Sequence, residues 1–343
     1  MGYAEREIPT GVTTPAECQQ RRMQAVEEML SEGIFTGRDV ITSLGWDDVQ
    51  IRSLRIPSMP EEEVCEVVRF EAADRFGLDP ASAEVRFLIA GDVRQGTEIK
   101  QEIVVFGTPR TAVDNHIAML NELTLSPVAI DVGPCATFRC FERFLRRDED
   151  QYQVNAFLDI GYSASRVIVC RGPEITFVKS IPVGSRRLDE LVSEQLDLSL
   201  TEADQIRNRL HLQHVAAMTG HMPWNQDDEP VGETTRRAVL DAIRPALDQL
   251  GKEIGLCLRY CSVTFRGPRA DAFTVVGGEA CNTDILQVLS DQVNLPFRPG
   301  RVTRNIAFDK PFSGADRRTG QPEWSGVLGL ALKPVNEEAV VAS

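Results

Sequence analysis

The amino-acid sequence predicts an α/β protein of two lobes, with a small α+β subdomain inserted into the first. Three observations lead there. At 343 residues the chain exceeds what one hydrophobic core ordinarily holds. Between Val49 and Asp131, strand-like and helix-like segments follow the order β-α-β-β-α-β, the pattern of a small sheet with helices on one face. A polar joint, Arg147-Asp148-Glu149-Asp150-Gln151, then precedes a second half that opens with a strand meander and turns mostly helical.

The elements are justified in chain order. Thr14 as N-cap, Pro15 at the first helical position and Glu17 reaching back open a helix that Gly33 can terminate. A strand is expected near Asp39–Leu44. Val49–Ile56 (strand), Pro60–Phe76 (helix), Val85–Ala90 and Ile99–Phe106 (strands), Pro109–Leu123 (helix) and Val128–Asp131 (strand) follow, then a helix over Pro134–Arg147. The second half starts with Ala156–Gly161, a strand ending on Asp and Gly. It turns through Tyr162-Ser163-Ala164-Ser165 and returns as Arg166–Cys170, and Ile175–Ile181 completes the meander. Helices are expected over Arg187–Asp197, Thr201–Leu210 and Glu233–Phe265, with an exposed Pro/Gly-rich loop at Thr219–Gly232. Phe273–Gly278 is a buried strand running into a glycine pair, followed by helices at Thr283–Val293 and Pro322–Leu332. The domain reading is a first lobe over residues 1–150 with an insert at 49–125. A second lobe covers 151–334 with a helical subdomain at 186–271, and 335–343 is a loose tail.

Composition bounds the function. Lys plus Arg is 37 against 51 Asp plus Glu, a net charge of -14. Such a surface repels phosphate backbones and anionic lipid heads, which disfavours nucleic-acid binding or charge-driven membrane anchoring. The arginines at 143, 146, 147, 186 and 187 read as solvated helix faces. No apolar run is long enough to span a bilayer and the start has no signal-peptide core, so a cytoplasmic protein is expected. The eight cysteines lack CxxC spacing and read as reduced core residues. His211, His214 and His221 have no cysteine or carboxylate at ligand spacing, and a surface stretch is the expectation for them.

Two segments carry chemistry. The hairpin Leu158-Asp159-Ile160-Gly161-Tyr162-Ser163-Ala164-Ser165 offers backbone N–H groups and hydroxyls to phosphate oxygens, with Gly161 permitting close approach. Asp159 at its strand end can hold a Mg²⁺ ion, generally through water. In Val276-Gly277-Gly278-Glu279-Ala280 a strand meets bare backbone and then a helix, a surface on which a base and ribose can lie. Each motif alone is ordinary turn chemistry. Their order, separated by roughly a hundred mostly helical residues, points to nucleotide-binding ancestry of the actin-like kind.

On these residues the chain resembles the PilM family, with the division protein FtsA as a relative, over about Pro9 to Leu332. Further stretches that resemble the family are Leu54–Glu63, Leu125–Asp131, Phe177–Gly184 and Glu202–Arg207. The resemblance implies an actin-like, ribonuclease H-like clamshell with ATP and Mg²⁺ in the cleft. It also implies a groove for the cytoplasmic N-terminal peptide of an inner-membrane PilN-like partner, which would hold the protein at the membrane face. Site residues carried over are Asp159 (metal and phosphate), Gly161, Tyr162, Ser163, Ser165, Gly184, Asp204, Arg207, Gly277, Gly278 and Glu279.

The departures shape the expectation. The fold is internally duplicated, yet the first half passes from Tyr3–Pro9 into the Thr14 helix without a DxG hairpin. Either the start codon is placed late or half of the phosphate clamp has been lost. Tyr162 is bulky where a small residue is usual, Ser185 stands in place of a second glycine, and Asp189 in place of a threonine. Asp204 and Arg207 replace Glu and Lys. ATP is therefore expected to bind weakly and to be hydrolysed negligibly, with no catalytic residue assigned. An FtsA-like filament anchor would need a basic amphipathic C-terminal helix, whereas 334–343 is short and acidic. A sugar kinase would need a general base, for which Asp131 and Asp159 are candidates, but no sugar-binding pattern accompanies them. A PilM-like adaptor whose carboxylates select basic residues in a peptide remains the favoured reading.

Overall fold

The computed structural model describes residues 3–6, 8, 15–79, 81–220, 230–265, 269–308 and 320–334. Thr14 as a helix cap, His221, the loop centre at 221–229 and the tail at 335–343 lie outside the described residues.

The first half contributes α1 (Pro15–Ser31), β1 (Asp39–Ser43), β2 (Gln50–Pro57), α2 (Glu61–Phe76), β3 (Ala83–Gln95), β4 (Glu98–Pro109), α3 (Arg110–Glu122), β5 (Ser126–Asp131) and α4 (Gly133–Glu142). β1 and β5 pair in parallel as a two-stranded sheet. β2, β4 and β3 form a separate antiparallel sheet in that order, with β4 central. α2 covers one face of it through Val64, Val68 and Ala72, all with no exposure. Their spacing of four residues puts them on one helical stripe. α1 lies on the far side, where Met23, Val26 and Leu30 meet Leu120, Leu123 and Leu125.

The second half contributes β6 (Val154–Ile160), β7 (Ser165–Arg171), β8 (Glu174–Ile181), α5 (Ser185–Leu196), α6 (Leu200–Thr219), α7 (Glu233–Phe265), β9 (Phe273–Gly277), α8 (Thr283–Val293), β10 (Phe297–Pro299) and α9 (Ser325–Ala331). One five-stranded sheet runs β10-β9-β6-β7-β8, antiparallel within the meander and parallel across β6, β9 and β10. Strand alternation divides its residues between two cores. Ala156, Leu158 and Ile160 join the helical side with α5 to α8, while Phe157 and Ile168 face α4 and the small sheet. Sheets covered on both faces read as continuous apolar runs, which explains why 156–160 and 273–276 were so legible.

Several elements differ from the sequence reading, and β3 and β4 run past their expected ends at Ala90 and Phe106 to Gln95 and Pro109. α4 ends at Glu142 rather than Arg147, because the Asp150 carboxylate accepts from the Arg146 and Arg147 amides and turns the chain. α6 continues to Thr219, where Gly220 at φ +71° closes it in the left-handed conformation. β10 is not expected from the sequence; three residues that follow Pro296 and end on Pro299 carry no periodic signal.

The small sheet packs on the second half as well as the first. Ala90, Val104 and Phe106 share a core with Phe157, Ile168 and Val178. A polar knot reinforces this seam. Glu102 on β4 has no exposure, accepts from Arg55 Nε at 2.6 Å and also accepts from the Tyr260 hydroxyl of α7. Arg55 Nη2 donates to Thr264 Oγ1 at 2.8 Å. Glu102→Ala would leave a guanidinium and a phenol without their shared acceptor. Arg55 is a third exposed, so the expected loss is held to about 2–3 kcal/mol. A denaturation midpoint within error of the wild type would refute it.

Candidate functional site

The hairpin and the glycine pair do meet at one end of the five-stranded sheet. Asp159 and Gly277 lie one register step apart on neighbouring parallel strands, where Asp159 pairs with Val276 and Ile160 with Gly277. Gly277 has φ +88°, and a Cβ there would press on the Ile160 carbonyl and come within 2.8 Å of Asp159 Oδ1. Only glycine fits that turn.

The hairpin turn docks on the N-terminus of α5. The Ser185 amide donates to the Gly161 carbonyl and the Arg186 amide to the Tyr162 carbonyl, both at 3.0 Å. Gly184, the extended residue before α5, lets the two backbones touch: a Cβ there would stand 2.6 Å from Ala164 N and 2.7 Å from Gly161 O. The first amides of the helix, which elsewhere can receive an anion, are thus satisfied by the turn itself.

Each carried-over side chain can now be placed. Asp159 is half-buried, and its Oδ2 lies 3.0 Å from Nη1 of Arg166, its cross-strand register partner. The Arg166 guanidinium also lies over the Trp46 ring, 5.4 Å from its centroid. Ser165 is fully buried and its hydroxyl donates to the Val183 carbonyl at 2.6 Å, so the expectation that it faces a phosphate is corrected: it ties the start of β7 to the segment between β8 and α5. Ser163 is exposed on the turn. Tyr162 is exposed too; partial burial raises its phenol pKa, with Arg186 opposing and Asp189 and Asp204 adding to the rise. Gly278 has open space at its Cβ position. Asp204 is half-buried and accepts from Asn208 at 3.2 Å.

Arg207 corrects the sequence reading most. Its side chain is 7 % exposed and bridges Asp189 and Glu279, while Nη1 also donates to the Ser185 carbonyl at 3.0 Å. It therefore ties α5, α6 and the glycine-pair turn together, rather than standing free for a nucleoside. Burial alone would lower its pKa, but Glu279 and Asp189 outweigh that and raise it. Asp189 is pushed by burial up to about 6, with Arg207 only partly opposing. Nearby, His214 is buried, not on the surface as expected, with Nε2 3.3 Å from Asp284 Oδ2. Arg236 grips the same carboxylate at 2.8 and 2.5 Å. Burial lowers the pKa of both His211 and His214. Among the described residues no cluster of His, Cys, Asp and Glu forms a metal site.

As a test of fit for Mg²⁺ and ATP, the backbone and side chains disagree. Gly161, Gly184 and Gly277 make a tight, side-chain-free turn where backbones converge. The carboxylate meant for a metal already carries a guanidinium, and the helix amides are already bonded. As arranged, the donor set does not fit a metal-bound nucleotide. Arg166 and Trp46 were missed by the sequence reading. The signal for Arg166 was present, since a two-sided hairpin places Asp159 and Arg166 opposite each other.

A second concave feature lies elsewhere. A groove of about 400 Å³ runs between the β1–β5 sheet, α3 and the small sheet, lined by Leu44, Leu88, Phe106, Val113 and Val132 among others. β3 forms its wall through residues 84–88 and has a strand partner on only one edge among the described residues. Its charged lining is balanced: Glu84 is bound by Arg110 and Arg86, and Asp131 by Arg139 at 2.8 Å and Lys333 at 3.0 Å. No helix among the described residues is long and apolar enough to cross a membrane.

Comparison with known proteins places this arrangement. The family model for type IV pilus assembly protein PilM matches residues 25–218. Among solved structures, the chain is similar to one in a PilM-PilN type IV pilus biogenesis complex, with 24% identity and a TM-score of 0.74, covering 97% of this chain and 92% of that one. Fainter likeness extends to the ethanolamine utilization protein EutJ from Carboxydothermus hydrogenoformans (15% identity, TM-score 0.42, 65% and 60% covered). MreB 5 of Spiroplasma citri bound to AMPPNP is fainter still (14%, 0.38, 68% and 65%). The fold is α/β and is shared with the chain of the PilM-PilN complex. A search of curated proteins returned no match.

Proposed function

The chain belongs to the type IV pilus assembly protein PilM family, and from that premise we propose that it works as a peptide-binding adaptor in pilus assembly. Its partner is the cytoplasmic N-terminal segment of a PilN-like inner-membrane protein, which holds the adaptor at the cytoplasmic face of the membrane. The observation that carries this reading is the groove beside β3. An apolar floor meets a strand edge that has no strand partner among the described residues, and an extended peptide can pair with that edge while its alternate side chains enter the groove. The similarity to a chain solved as a PilM-PilN complex agrees with it.

One part of the sequence reading changes. Carboxylates of the adaptor were expected to choose basic residues in the ligand, but those in the groove are already paired within the chain. Affinity should then rest on backbone pairing and apolar contact, and should depend only weakly on salt. The test is a titration with the N-terminal peptide of the PilN-like protein from the same genome, at about 50 and 500 mM salt. Saturable binding that changes less than about threefold supports the reading. Absence of binding, or collapse of affinity in high salt, defeats it. ATP is secondary here: weak binding and negligible turnover are expected, and the peptide should bind without nucleotide.

A further inference from the structure

We propose that Arg166 is a built-in cation. It occupies the position over the phosphate hairpin that a nucleotide's metal ion would need, and it closes the cleft onto Trp46 without a ligand. The inference concerns the cleft alone and is independent of the peptide groove.

Four observations carry it. First, Asp159 Oδ2 is committed to Arg166 at 3.0 Å, while Oδ1 lies tight against the Gly277 turn, where even a Cβ would crowd it. Second, the guanidinium lies over the hairpin: Nη1 is 3.8 Å from the Cβ position of Gly161. Third, Trp46 comes from the short helical turn Trp46–Asp48 between β1 and β2, so its stacking on Arg166 links the first half of the chain to the hairpin of the second. Fourth, the amides of Ser185 and Arg186 at the head of α5 are already used by the hairpin carbonyls.

The charges fit the same reading. A Mg²⁺ ion demands oxygen ligands and keeps several waters. With one carboxylate, half-buried and already paired with a guanidinium, the site holds no spare negative charge for a metal. A metal would have to expel Arg166 and break its stacking on Trp46. At the other end of the cleft Arg207 does the equivalent, bridging Asp189 and Glu279. Two arginines of the chain itself thus hold the carboxylates at this end of the five-stranded sheet, with no nucleotide needed.

The experiment compares wild type, Asp159→Asn, Arg166→Gln, Arg166→Lys, Trp46→Ala and the double variant Arg166→Gln with Asp159→Asn. Each is titrated with ATP plus Mg²⁺ and with ATP plus a chelator, and amide exchange is followed over the segment 161–165. Expected for the wild type is the same feeble ATP affinity with and without Mg²⁺. Arg166→Gln should gain at least tenfold in Mg²⁺-dependent affinity, the double variant should lose that gain, and Arg166→Lys should behave as wild type. Trp46→Ala should quicken exchange over 161–165 by at least fivefold, a readout that holds even where Arg166→Gln fails to fold. Mg²⁺-dependent binding by the wild type that Asp159→Asn abolishes would overturn the proposal. So would a folded Arg166→Gln chain with no gain, or unchanged exchange in Trp46→Ala.

Discussion

Arg207→Ala is expected to cost about 3–5 kcal/mol of folding stability, the loss typical when one partner of a buried ionic group is removed. Against a total of about 5–15 kcal/mol for an ordinary domain, that brings the second half of the chain close to unfolding at 25 °C. The cause is specific. Without the guanidinium, Asp189 and Glu279, 6 % and 8 % exposed, are left buried with no shared cation. The pH dependence follows from Asp189, whose pKa burial raises from 3.8 to about 6. A carboxyl raised on folding binds more protons in the folded chain than in the unfolded one. Its favourable contribution is therefore complete below about 3.8 and is lost as pH rises through about 6. Relative to wild type, Asp189→Asn should gain stability as pH rises from about 4 to 7, and Arg207→Ala should be partly rescued by acid. Replacing all three groups by apolar residues of similar size should restore much of the stability, as buried ionic clusters often permit. Thermal melts across that pH range check each point. A melting temperature for Arg207→Ala equal to wild type at pH 7.5 would show that the bridge is ornamental.

That bridge also marks how far a sequence can be read. Asp189, Arg207 and Glu279 were each singled out, but as separate points along a nucleotide site. Nothing in a spacing of 18 or 72 residues says that three side chains will neutralise one another. Periodicity did place α7 and α8 at their ends, because long amphipathic helices repeat their signal over many turns. It also placed the two-face-buried strands, since their apolar runs are bounded by glycine. The α/β class followed from the order of those elements. It failed where the signal is tertiary. α6 continues past Leu210 because His214 finds Asp284, a carboxylate far along the chain that Arg236 also holds, and this supplies a partner for a buried polar residue. Ser165 looked like a phosphate ligand because hydroxyls in glycine turns often are; the segment leading into α5 uses it instead, through the Val183 carbonyl. Arg166 was legible in principle, since antiparallel register alone puts it across from Asp159. The reading of Asp159 as a metal ligand left no reason to look there.

Blocking the groove beside β3 should have the largest effect on partner binding. Val113→Trp on α3 is expected to weaken the PilN-like peptide at least about 30-fold, some 2 kcal/mol. Val113 lines the groove and is half-buried on the outer part of its helix. An indole there would fill much of a 400 Å³ space that the peptide's apolar side chains need. Folding should barely change, because a partly exposed helix position with an open groove beside it can take a larger apolar side chain within about 0.5 kcal/mol. Val113→Ala removes apolar contact without blocking the space and should weaken the peptide only about two- to fivefold. Val263→Trp, on the far end of α7 at a position 72% exposed, serves as the control and should leave affinity unchanged. The order of the three variants is the decisive result. Loss in Val113→Trp alone, with melting temperatures equal across the set, locates the peptide in the groove. Equal affinity in Val113→Trp and wild type would move the peptide off this surface, since an extended chain seated against β3 cannot pass an indole standing in its path.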